Sequence, residues 1–423
     1  MRIIADLHIH SKYSRAVSQE MTLENIAIWA RKKGVQVMGT GDFTHPQWFN
    51  DIKTKLEPAE GGLYKIREMI TKHEFPPFSA RFMLTTEISS IYSKGGKARR
   101  IHNLIFAPSI EAVEKINTKL GWIGNLKSDG RPILGLGSKE LLKIILDADE
   151  RCILVPAHAW TPWFSIFGSM SGFDSIEECF DEMAPRIFAI ETGLSSDPAM
   201  NWRLPALDKI SLISNSDAHS LQKIAREANV FDCELSYDGI INALKSKDPK
   251  KFLYTIEFFP EEGKYHYDGH RDCGICFSPE ETAKYKGICP KCGKKLVIGV
   301  LNRVDKLASR PLGEMPNGAI PYKNLIPLDE IIGAAFGVGP KSKKVGDAYE
   351  KLILNFGSEI DILLNISHGN ISSASDARIG EAIKRVREGK INIQPGYDGE
   401  FGKISIFKEG EDVGKNKPQA TLF

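Results

Sequence analysis

Seven short apolar, β-branched segments recur through the first 220 residues, and helical patterns fall between most of them. The segments span 3–10, 35–39, 82–89, 101–106, 152–157, 187–191 and 211–214. The clearest helix is predicted to begin after Thr22, whose hydroxyl is a good N-cap, and to end at Gly34. Strands that alternate with helices predict an α/β domain with a mostly parallel sheet, either a barrel or an open sheet.

A His, Asp or Glu lies near the C-terminal end of almost every segment. In chain order these residues are His8, His10, Asp42, His45, Glu87, His102, His158, Glu191, Asp217 and His219. His102 is the exception, because it lies at the start of its segment. One such residue is ordinary surface chemistry, but a whole set matches the edge where parallel α/β barrels assemble active sites. Imidazole and carboxylate groups suit Zn, Mn, Fe or Mg, and clustered divalent ions support hydrolysis at phosphorus.

Length and charge limit the class of protein. A chain of 423 residues predicts two or three domains, and its formal net charge of +2 does not indicate a partner by itself. The sequence contains no apolar run of the roughly 18 residues that a membrane span needs, and no signal peptide is recognisable. We therefore expect a cytoplasmic protein with no membrane partner.

Two CxxC pairs, twelve residues apart, distinguish the second half of the chain. They comprise Cys273, Cys276, Cys289 and Cys292, which predict one structural zinc ion held by four thiolates. The other cysteines, Cys152, Cys179 and Cys233, are interpreted as small buried residues. The histidines outside the strand ends, His73, His266, His270 and His368, are interpreted as surface or capping residues. Eight Lys or Arg residues and a single acid lie in 283–310, so this module favours a phosphate-rich polymer, although a solvated charged face is the alternative.

Residues 336–344, FGVGPKSKK, lie between two apolar, helix-like runs. Glycines between helices, followed by lysines, are typical of a helix-hairpin-helix turn, which holds a DNA phosphate without reading sequence. Lys341 and Lys343 are its candidate cations, and an ordinary helix connection is the alternative. Lys94 and Arg99 either bind phosphates or solvate a hairpin.

The stretch 398–423 is predicted to be a flexible tail, because 410–418 is rich in Gly, Lys and acids. Its final residues, Gln419, Leu422 and Phe423, resemble a shortened clamp-interacting motif of DNA replication and repair proteins. A sliding clamp is therefore a predicted partner, with a chance match of five residues as the alternative.

The segments DLHIHS, GTGD, VPAH and SDAH, with Glu87 between them, resemble the polymerase-and-histidinol-phosphatase (PHP) superfamily over 1–254. The resemblance implies a distorted seven-stranded (β/α)7 barrel with up to three divalent ions. It implies a first metal site of His8, His10, Glu87 and Asp217, and a second of Glu87, His102 and His158. A third site would join His219 to Asp42 or His45. Ser14 and Arg15 stand where relatives often place a further His.

Two residues near these ligands have open or indirect roles. Glu191 either orients a ligand or is an N-cap acceptor, and Asp6 is expected to fix the orientation of the histidines.

The order of the modules over the whole chain is similar to that of the archaeal endonuclease Q family. That resemblance implies a barrel in 1–255, a zinc module in 256–310, a helical DNA-contacting region in 311–397 and a tail in 398–423. It implies hydrolysis of the phosphodiester 5′ of hypoxanthine, uracil, xanthine or an abasic site, leaving a 3′-hydroxyl and a 5′-phosphate. The implied catalytic residues are His8, His10, Glu87, His158 and Asp217, using two or three divalent ions (Zn, Mn, Mg or Fe).

The predicted partner is damaged DNA, duplex or single-stranded, which places the protein at the nucleoid. Candidate walls of a base pocket are Ser171, Gly172, Asn201 and Trp202, and their alternative is ordinary loop and core positions. Two other functions stay open: a small-molecule phosphatase such as histidinol-phosphate phosphatase, and a non-catalytic, clamp-associated DNA-binding protein.

Overall fold

A computed structural model describes residues 1–67, 80–408 and 411. Its secondary structure consists of short apolar strands and amphipathic helices. The strands are β1 (Arg2–Asp6), β2 (Val37–Gly39), β3 (Leu56–Pro58), β4 (Tyr64–Ile66), β5 (Arg81–Lys94), β6 (Lys97–Ala107), β7 (Ile133–Leu134), β8 (Ile153–Pro156), β9 (Ala189–Glu191), β10 (Ser211–Ile213), β11 (Ala228–Asp232), β12 (Phe252–Glu257), β13 (Asp268–His270), β14 (Ile275–Phe277), β15 (Tyr322–Asn324), β16 (Asn392–Gln394) and β17 (Lys403–Ser405).

The α-helices are α1 (Leu23–Lys33), α2 (Pro46–Lys55), α3 (Ile110–Gly121), α4 (Ser138–Ala148), α5 (Ile176–Phe180), α6 (Pro198–Asn201), α7 (Tyr237–Ser246), α8 (Pro279–Lys284), α9 (Val300–Leu307), α10 (Leu328–Phe336), α11 (Lys343–Phe356), α12 (Glu359–Leu364), α13 (His368–Ala374) and α14 (Ala377–Arg387). The limits predicted for the first helix are confirmed. The Thr22 hydroxyl accepts from the Asn25 N–H, and Gly34 ends the helix at φ 89°, where a Cβ would be strained.

A ring formed by β1, β2, β5, β6, β8, β9 and β10 confirms the distorted seven-stranded barrel. At two junctions of the ring, isolated backbone contacts take the place of a regular strand ladder. Between β8 and β9 the Ala159 N–H donates to the Glu191 carbonyl at 2.9 Å. Beyond the end of β1, the His10 N–H donates to the Ala218 carbonyl at 3.1 Å, next to an Ile9–Ala218 bridge. The edge of β1 before this point pairs instead with β11, so the ring is distorted there.

The strand directions are mixed, which corrects the expectation of a mostly parallel sheet. A long hairpin reverses the chain between β5 and β6, because Gly95 and Gly96 adopt φ 61° and 71° in its two-residue turn. The strand predicted at 101–106 therefore begins at Lys97 and runs antiparallel to β5. An antiparallel strand has its beginning at the edge where its parallel neighbours end. This direction explains why His102, near a strand start, lies with residues from strand ends.

The core has two layers separated by the barrel wall. Met83 and Leu104 point into the barrel interior, whereas Phe82, Leu84 and Ile105 pack against the surrounding helices. This alternation follows from the two-residue period of a strand and leaves both faces of the wall apolar. The wall is therefore packed on both faces below the strand ends that carry the polar side chains.

The second half of the chain packs on the barrel through strands and helices. β15 pairs in parallel with β12, so part of the region 311–397 belongs to the barrel sheet. The β16–β17 hairpin packs against the zinc module: the Tyr267 N–H donates to the Gly396 carbonyl, and the Arg271 N–H donates to Asp398. Residues 398–408 are thus structured, which corrects the flexible tail predicted from 398. The predicted clamp-binding residues lie outside the described residues.

The turn predicted at 336–344 lies between two helices. α10 ends at Gly337, with φ 67°, and the Ser342 hydroxyl caps α11 by accepting from the Val345 N–H. Lys341 and Lys343 are exposed there. Within the described part of the chain, no helix is long and apolar enough to cross a membrane.

A buried ion pair docks the helical region on the barrel. Lys33, at the end of α1, and Glu359, at the start of α12, have side chains only 3% and 4% exposed, with Nζ 2.7 Å from Oε2. Glu359 also accepts from the Tyr349 hydroxyl at 2.8 Å and from the Leu328 N–H at 3.1 Å. One carboxylate therefore joins three helices of the C-terminal region to a barrel helix.

Replacing Lys33 with Met would leave the Glu359 carboxylate buried without its cation. We expect the free energy of unfolding, measured by urea denaturation, to fall by about 3–5 kcal/mol. Lys32→Met is the matched control, because the Glu350 partner of Lys32 is 47% exposed and the expected loss is at most about 1 kcal/mol. Equal losses in the two variants would contradict the docking role of the buried pair.

Candidate metal centre

Four side chains converge where the first, third and seventh predicted strands end. Ligand atoms of His8, His10, Glu87 and Asp217 all lie within 4.8 Å of one another. His10 Nε2 is 3.2 Å from Glu87 Oε2 and 3.1 Å from Asp217 Oδ1. Yet Nε2 of both histidines and Oδ1 of Asp217 are buried and have no hydrogen-bond partner in the described structure. Buried polar atoms without partners that face one point fit a divalent cation between them.

A second group shares Glu87 with the first. His102 Nδ1 lies 2.7 Å from Glu87 Oε1, and His158 Nε2 lies 3.2 Å from the same oxygen. Oε2 of Glu87 faces the first group, so each oxygen of this carboxylate serves a different group. Such a carboxylate can bridge two cations. The donor set, imidazole and carboxylate, suits divalent metal ions.

Two buried carboxylates orient the histidines of the first group. Glu191 accepts from His8 Nδ1 at 3.0 Å and from the His158 N–H at 2.9 Å, so it acts as an orienting residue rather than an N-cap. Asp42 accepts from His10 Nδ1 at 3.0 Å. When Nδ1 carries the proton, Nε2 is free to bind a metal ion.

Hydrogen bonds to the buried carboxylates of Asp42 and Asp6 fix the loops around the first group. Asp42 also accepts from the Ser11 N–H and from the Ser14 hydroxyl. Ser14, at the position where relatives often have a further His, therefore supports the orienting residue Asp42. Asp6 accepts from the N–H groups of Ser216 and Ala225 and so anchors the loop of Asp217 rather than the histidines themselves. Burial raises the pKa of Asp6 to about 6, against these hydrogen bonds.

Backbone strain marks the same residues. Asp42, His158 and Asp217 have φ of 50°, 28° and 46°, a region that residues with a Cβ rarely adopt. Each such residue costs of order 1–3 kcal/mol, which surrounding contacts must offset. Three of the ten non-glycine residues with positive φ in the described part of the chain lie in this cluster, and backbone strain of this kind recurs at functional sites.

The charges of the first group depend on one another. Burial opposes a proton on His8, but Glu191, Asp217 and Glu87 reverse this effect and raise its pKa well above the usual value. Burial likewise opposes ionisation of Asp217, yet the neighbouring histidines lower its pKa. Both shifts favour protonated histidines and an ionised Asp217 when no cation is bound. Binding of a divalent ion must displace these protons, so its affinity should rise with pH.

The predicted third metal site is not assembled, which corrects that expectation. Asp42 is occupied by His10 and two serines, and the His45 ring stacks on Tyr13 at 4.5 Å. His219 Nδ1 donates to the backbone carbonyl of Asp217 at 2.8 Å. Among the described residues, these three side chains do not form a common metal group.

The zinc module holds a group different from the predicted one. Ligand atoms of His270, Cys273, Cys289 and Cys292 lie within 4.8 Å of one another, whereas Cys276 Sγ lies against the Pro395 carbonyl at 3.9 Å. The cause is strand alternation: His270 pairs with Ile275 in the β13–β14 hairpin, so the adjacent Cys276 points to the other face. Three thiolates and one imidazole are a standard donor set for structural zinc.

The predicted walls of a base pocket have structural roles instead. Asn201 is buried; its Oδ1 accepts from Trp160 Nε1 at 2.7 Å, and its amide group donates to Ser196 and Asp197. The Ser171 hydroxyl bonds the backbone of Phe164 and Arg100. Both side chains are buried and their donor groups are already used within the loops, which corrects both expectations.

Most of the other residues predicted to contact DNA or a base also have structural roles. A Cβ on Gly172 would lie 2.4 Å from the Gly168 nitrogen, so this glycine serves close backbone packing, and Trp202 packs on Tyr322. Lys94 is paired with Asp181, and Arg99 donates to the Gly172 carbonyl. These cations fix a hairpin, whereas the exposed lysines of the α10–α11 turn are available to a phosphate.

Arg131 is a residue at the centre that strand-end reasoning missed. Its Nη1 lies 3.1 Å from Glu87 Oε2. It comes from the loop before β7, away from any predicted strand end, and the sequence carries no signal for it.

A seven-stranded barrel of this form, with histidines and carboxylates gathered at its strand ends, defines a PHP-type protein with a centre for divalent metal ions. A family model described as the MJ0043 C-terminal domain matches residues 327–390. The chain is 33% identical over 308 residues to protein MJ0043 of Methanocaldococcus jannaschii, covering 69% of this chain and 38% of that protein. The chain thus spans well under two thirds of the length of this relative.

Two solved structures match over nearly the full chain. One is the lesion-specific endonuclease PfuEndoQ from Pyrococcus furiosus, with a TM-score of 0.83, 31% identity, and coverage of 96% of this chain and 95% of that one. The other is endonuclease Q in complex with a 27-mer duplex substrate with an abasic lesion at the active site, with a TM-score of 0.84, 31% identity, and coverage of 99% and 100%. The chain belongs to the endonuclease Q family.

The zinc group predicts opposite results for two neighbouring substitutions. We expect His270→Ala to lose zinc, because it removes a ligand atom from the group, and Cys276→Ser to retain it. Zinc content per chain, measured by plasma mass spectrometry after dialysis against a chelator, decides between the two ligand sets. Cys179→Ser is the control, since this cysteine is buried in α5 and does not belong to the zinc group. Loss of zinc from Cys276→Ser alone would support the four-thiolate set instead.

Proposed function

We propose that the protein is a metal-dependent DNA repair endonuclease that cuts the phosphodiester on the 5′ side of a damaged nucleotide. The observation that carries the proposal is the pair of buried ligand groups sharing Glu87, in a chain that matches endonuclease Q over nearly its whole length. The substrates follow from the family: deaminated bases (hypoxanthine, uracil, xanthine) and abasic sites.

Two divalent ions and one structural zinc are the proposed cofactors. His8, His10, Glu87 and Asp217 would hold one divalent ion, and Glu87, His102 and His158 would hold the other. When bound, such ions act as Lewis acids that stabilise negative charge on the oxygens of a phosphodiester. The orienting contacts of Glu191 and Asp42 keep the Nε2 atoms of His8 and His10 directed at the first position.

In the proposed reaction water adds to phosphorus, and the bond between phosphorus and the 3′ oxygen breaks. The 3′ oxygen leaves with a proton as a hydroxyl group, and the 5′-phosphate stays on the damaged nucleotide. His219 is the partly exposed imidazole beside the centre, with a side chain 35% exposed. Since its Nδ1 donates to the Asp217 carbonyl, its Nε2 is the atom available to exchange a proton with solvent or substrate.

DNA binding in this proposal uses the second half of the chain. Lys341 and Lys343 are exposed at the turn before α11, where backbone N–H groups can hold a phosphate. The damaged nucleotide would be extruded from the helix, because damaged or mispaired bases cost least to unstack. The solved endonuclease Q complex with a 27-mer duplex that bears an abasic lesion at the active site supports DNA as the partner.

The other functions considered fit less well. A histidinol-phosphate-like phosphatase would leave the zinc module and the α10–α11 turn without a role. A degenerate, non-catalytic barrel is disfavoured, because both ligand groups bring imidazole and carboxylate atoms within 4.8 Å of one another around the buried Glu87.

Replacing Asp217 with Asn removes a charged ligand, so we expect nicking to fall to the level seen without added metal. The measurement uses end-labelled duplexes that contain uracil, hypoxanthine or an abasic site, with an undamaged duplex and added Mg²⁺ or Mn²⁺. Asp147→Asn is the matched control, because this carboxylate is 72% exposed on α4 and should nick at the wild-type rate. Equal cutting of the undamaged duplex by the wild type would reject lesion specificity, and wild-type nicking by Asp217→Asn would reject the metal assignment.

A sliding clamp is a further proposed partner, supported by the sequence of 419–423 alone. We expect the full chain to bind a sliding clamp immobilised on a sensor surface, and the double variant Leu422→Ala, Phe423→Ala to bind more weakly because it lacks the apolar anchors. Thr421→Ala serves as the control. Unchanged binding by the double variant would remove the clamp from the proposal.

A further inference from the structure

Arg131 carries a positive charge at a centre built to hold cations. Its guanidinium lies 3.1 Å from Glu87 Oε2, on the oxygen that faces His8 and His10. Glu87 has no exposed surface, whereas the side chain of Arg131 is 27% exposed. Arg131 therefore bonds a fully buried carboxylate while part of its own side chain reaches solvent.

The loop holds Arg131 from both sides. Asp129 Oδ1 accepts from the Arg131 N–H at 3.0 Å, and the Pro132 carbonyl accepts from the Ser89 N–H of β5 at 3.0 Å. Gly130 packs so closely that a Cβ would lie 2.3 Å from an oxygen of Asp42 and from the Ser14 hydroxyl. The backbone of Arg131 is thus fixed against the layer that orients the histidines.

A guanidinium at this position works against cation binding, because like charges repel more strongly in a buried site. The Arg131 guanidinium donates one hydrogen bond to Glu87, and it has no other hydrogen-bond partner among the described residues. A guanidinium has five N–H donors in a planar fork that matches phosphate oxygens. The remaining donors have no partner among the described residues, and the side chain is partly exposed, so they are available to an anionic substrate.

We propose that Arg131 binds a non-bridging oxygen of the scissile phosphodiester and stabilises the charge that develops there during hydrolysis. This inference rests on the proposed phosphodiesterase activity and adds a catalytic residue to it. The alternative is that Arg131 only neutralises Glu87. The two roles predict different results for the metal content of Arg131 variants and for the nicking rate when sulfur replaces a non-bridging phosphate oxygen.

The test compares Arg131→Met, which keeps the aliphatic length without the charge, with Arg131→Lys and with Arg151→Met as the matched control. Arg151 is exposed and paired with Asp149, at the end of β8 opposite to His158. For Arg131→Met we expect single-turnover nicking of a uracil duplex to fall by about 10²–10³-fold, as for removal of one donor to a reacting oxygen. Arg131→Lys should recover part of this rate, because it keeps the charge but not the planar fork.

Two further readouts separate the roles. Arg131→Met should hold at least as much metal as the wild type, and its dissociation constant for DNA should rise far less than its nicking rate falls. Sulfur in place of one non-bridging oxygen of the scissile phosphate should slow the wild type in a way that Mn²⁺ does not relieve, and should slow Arg131→Met much less. Wild-type nicking by Arg131→Met would overturn the inference, as would a loss of bound metal in proportion to its activity.

Hydrolysis of bis(p-nitrophenyl) phosphate, a phosphodiester without a base, distinguishes failure of the inference from failure of the proposed function. If the wild type cleaves this probe, Arg131→Met does not, and no DNA is nicked, then the DNA function fails and the role of Arg131 stands. If the wild type cleaves neither substrate, both are rejected.

Discussion

The carboxylate of Glu87 is the contact on which the centre depends. It is buried in the middle of β5, with one oxygen toward His8 and His10 and the other toward His102 and His158. Burial opposes its ionisation, yet His102, Arg131 and His8 lower its pKa well below the usual value, so it stays charged. A buried anion of this kind requires cations around it, and the barrel supplies positions for them on both sides.

The long β5–β6 hairpin makes this arrangement possible. It brings His102 back to the level of Glu87 from a strand of opposite direction, which a purely parallel barrel could not do. Glu191 and Asp42 then fix the imidazoles, and each is itself held by backbone or hydroxyl donors. Such orienting hydrogen bonds restrict rotation of the imidazole rings, so the donor atoms are already positioned before any ion binds.

The accessory regions are connected to the barrel by buried polar contacts of the same type. Arg303 of α9 is 7% exposed and donates to the carbonyls of Phe167 and Phe173, which fixes the loop after β8 against the zinc module. Lys33 and Glu359 join the barrel to the helical region. Because a buried charge is costly without its partner, such contacts favour one arrangement of the regions over others.

The sequence by itself indicated the barrel class and the polar residues at the strand ends, because their residue types recur strand after strand, and the family resemblance indicated which of them form the two groups that share Glu87. The sequence also indicated the zinc module and the helix turn at 336–344. It could not determine strand direction in the β5–β6 hairpin, the choice of His270 over Cys276, or the roles of Asp42, Asn201 and Arg131. Those features depend on which face of a strand a side chain occupies and on which donors lie within about 3 Å of it, a length set by hydrogen bonding. Only tertiary packing brings such atoms together, since they come from positions distant in the chain.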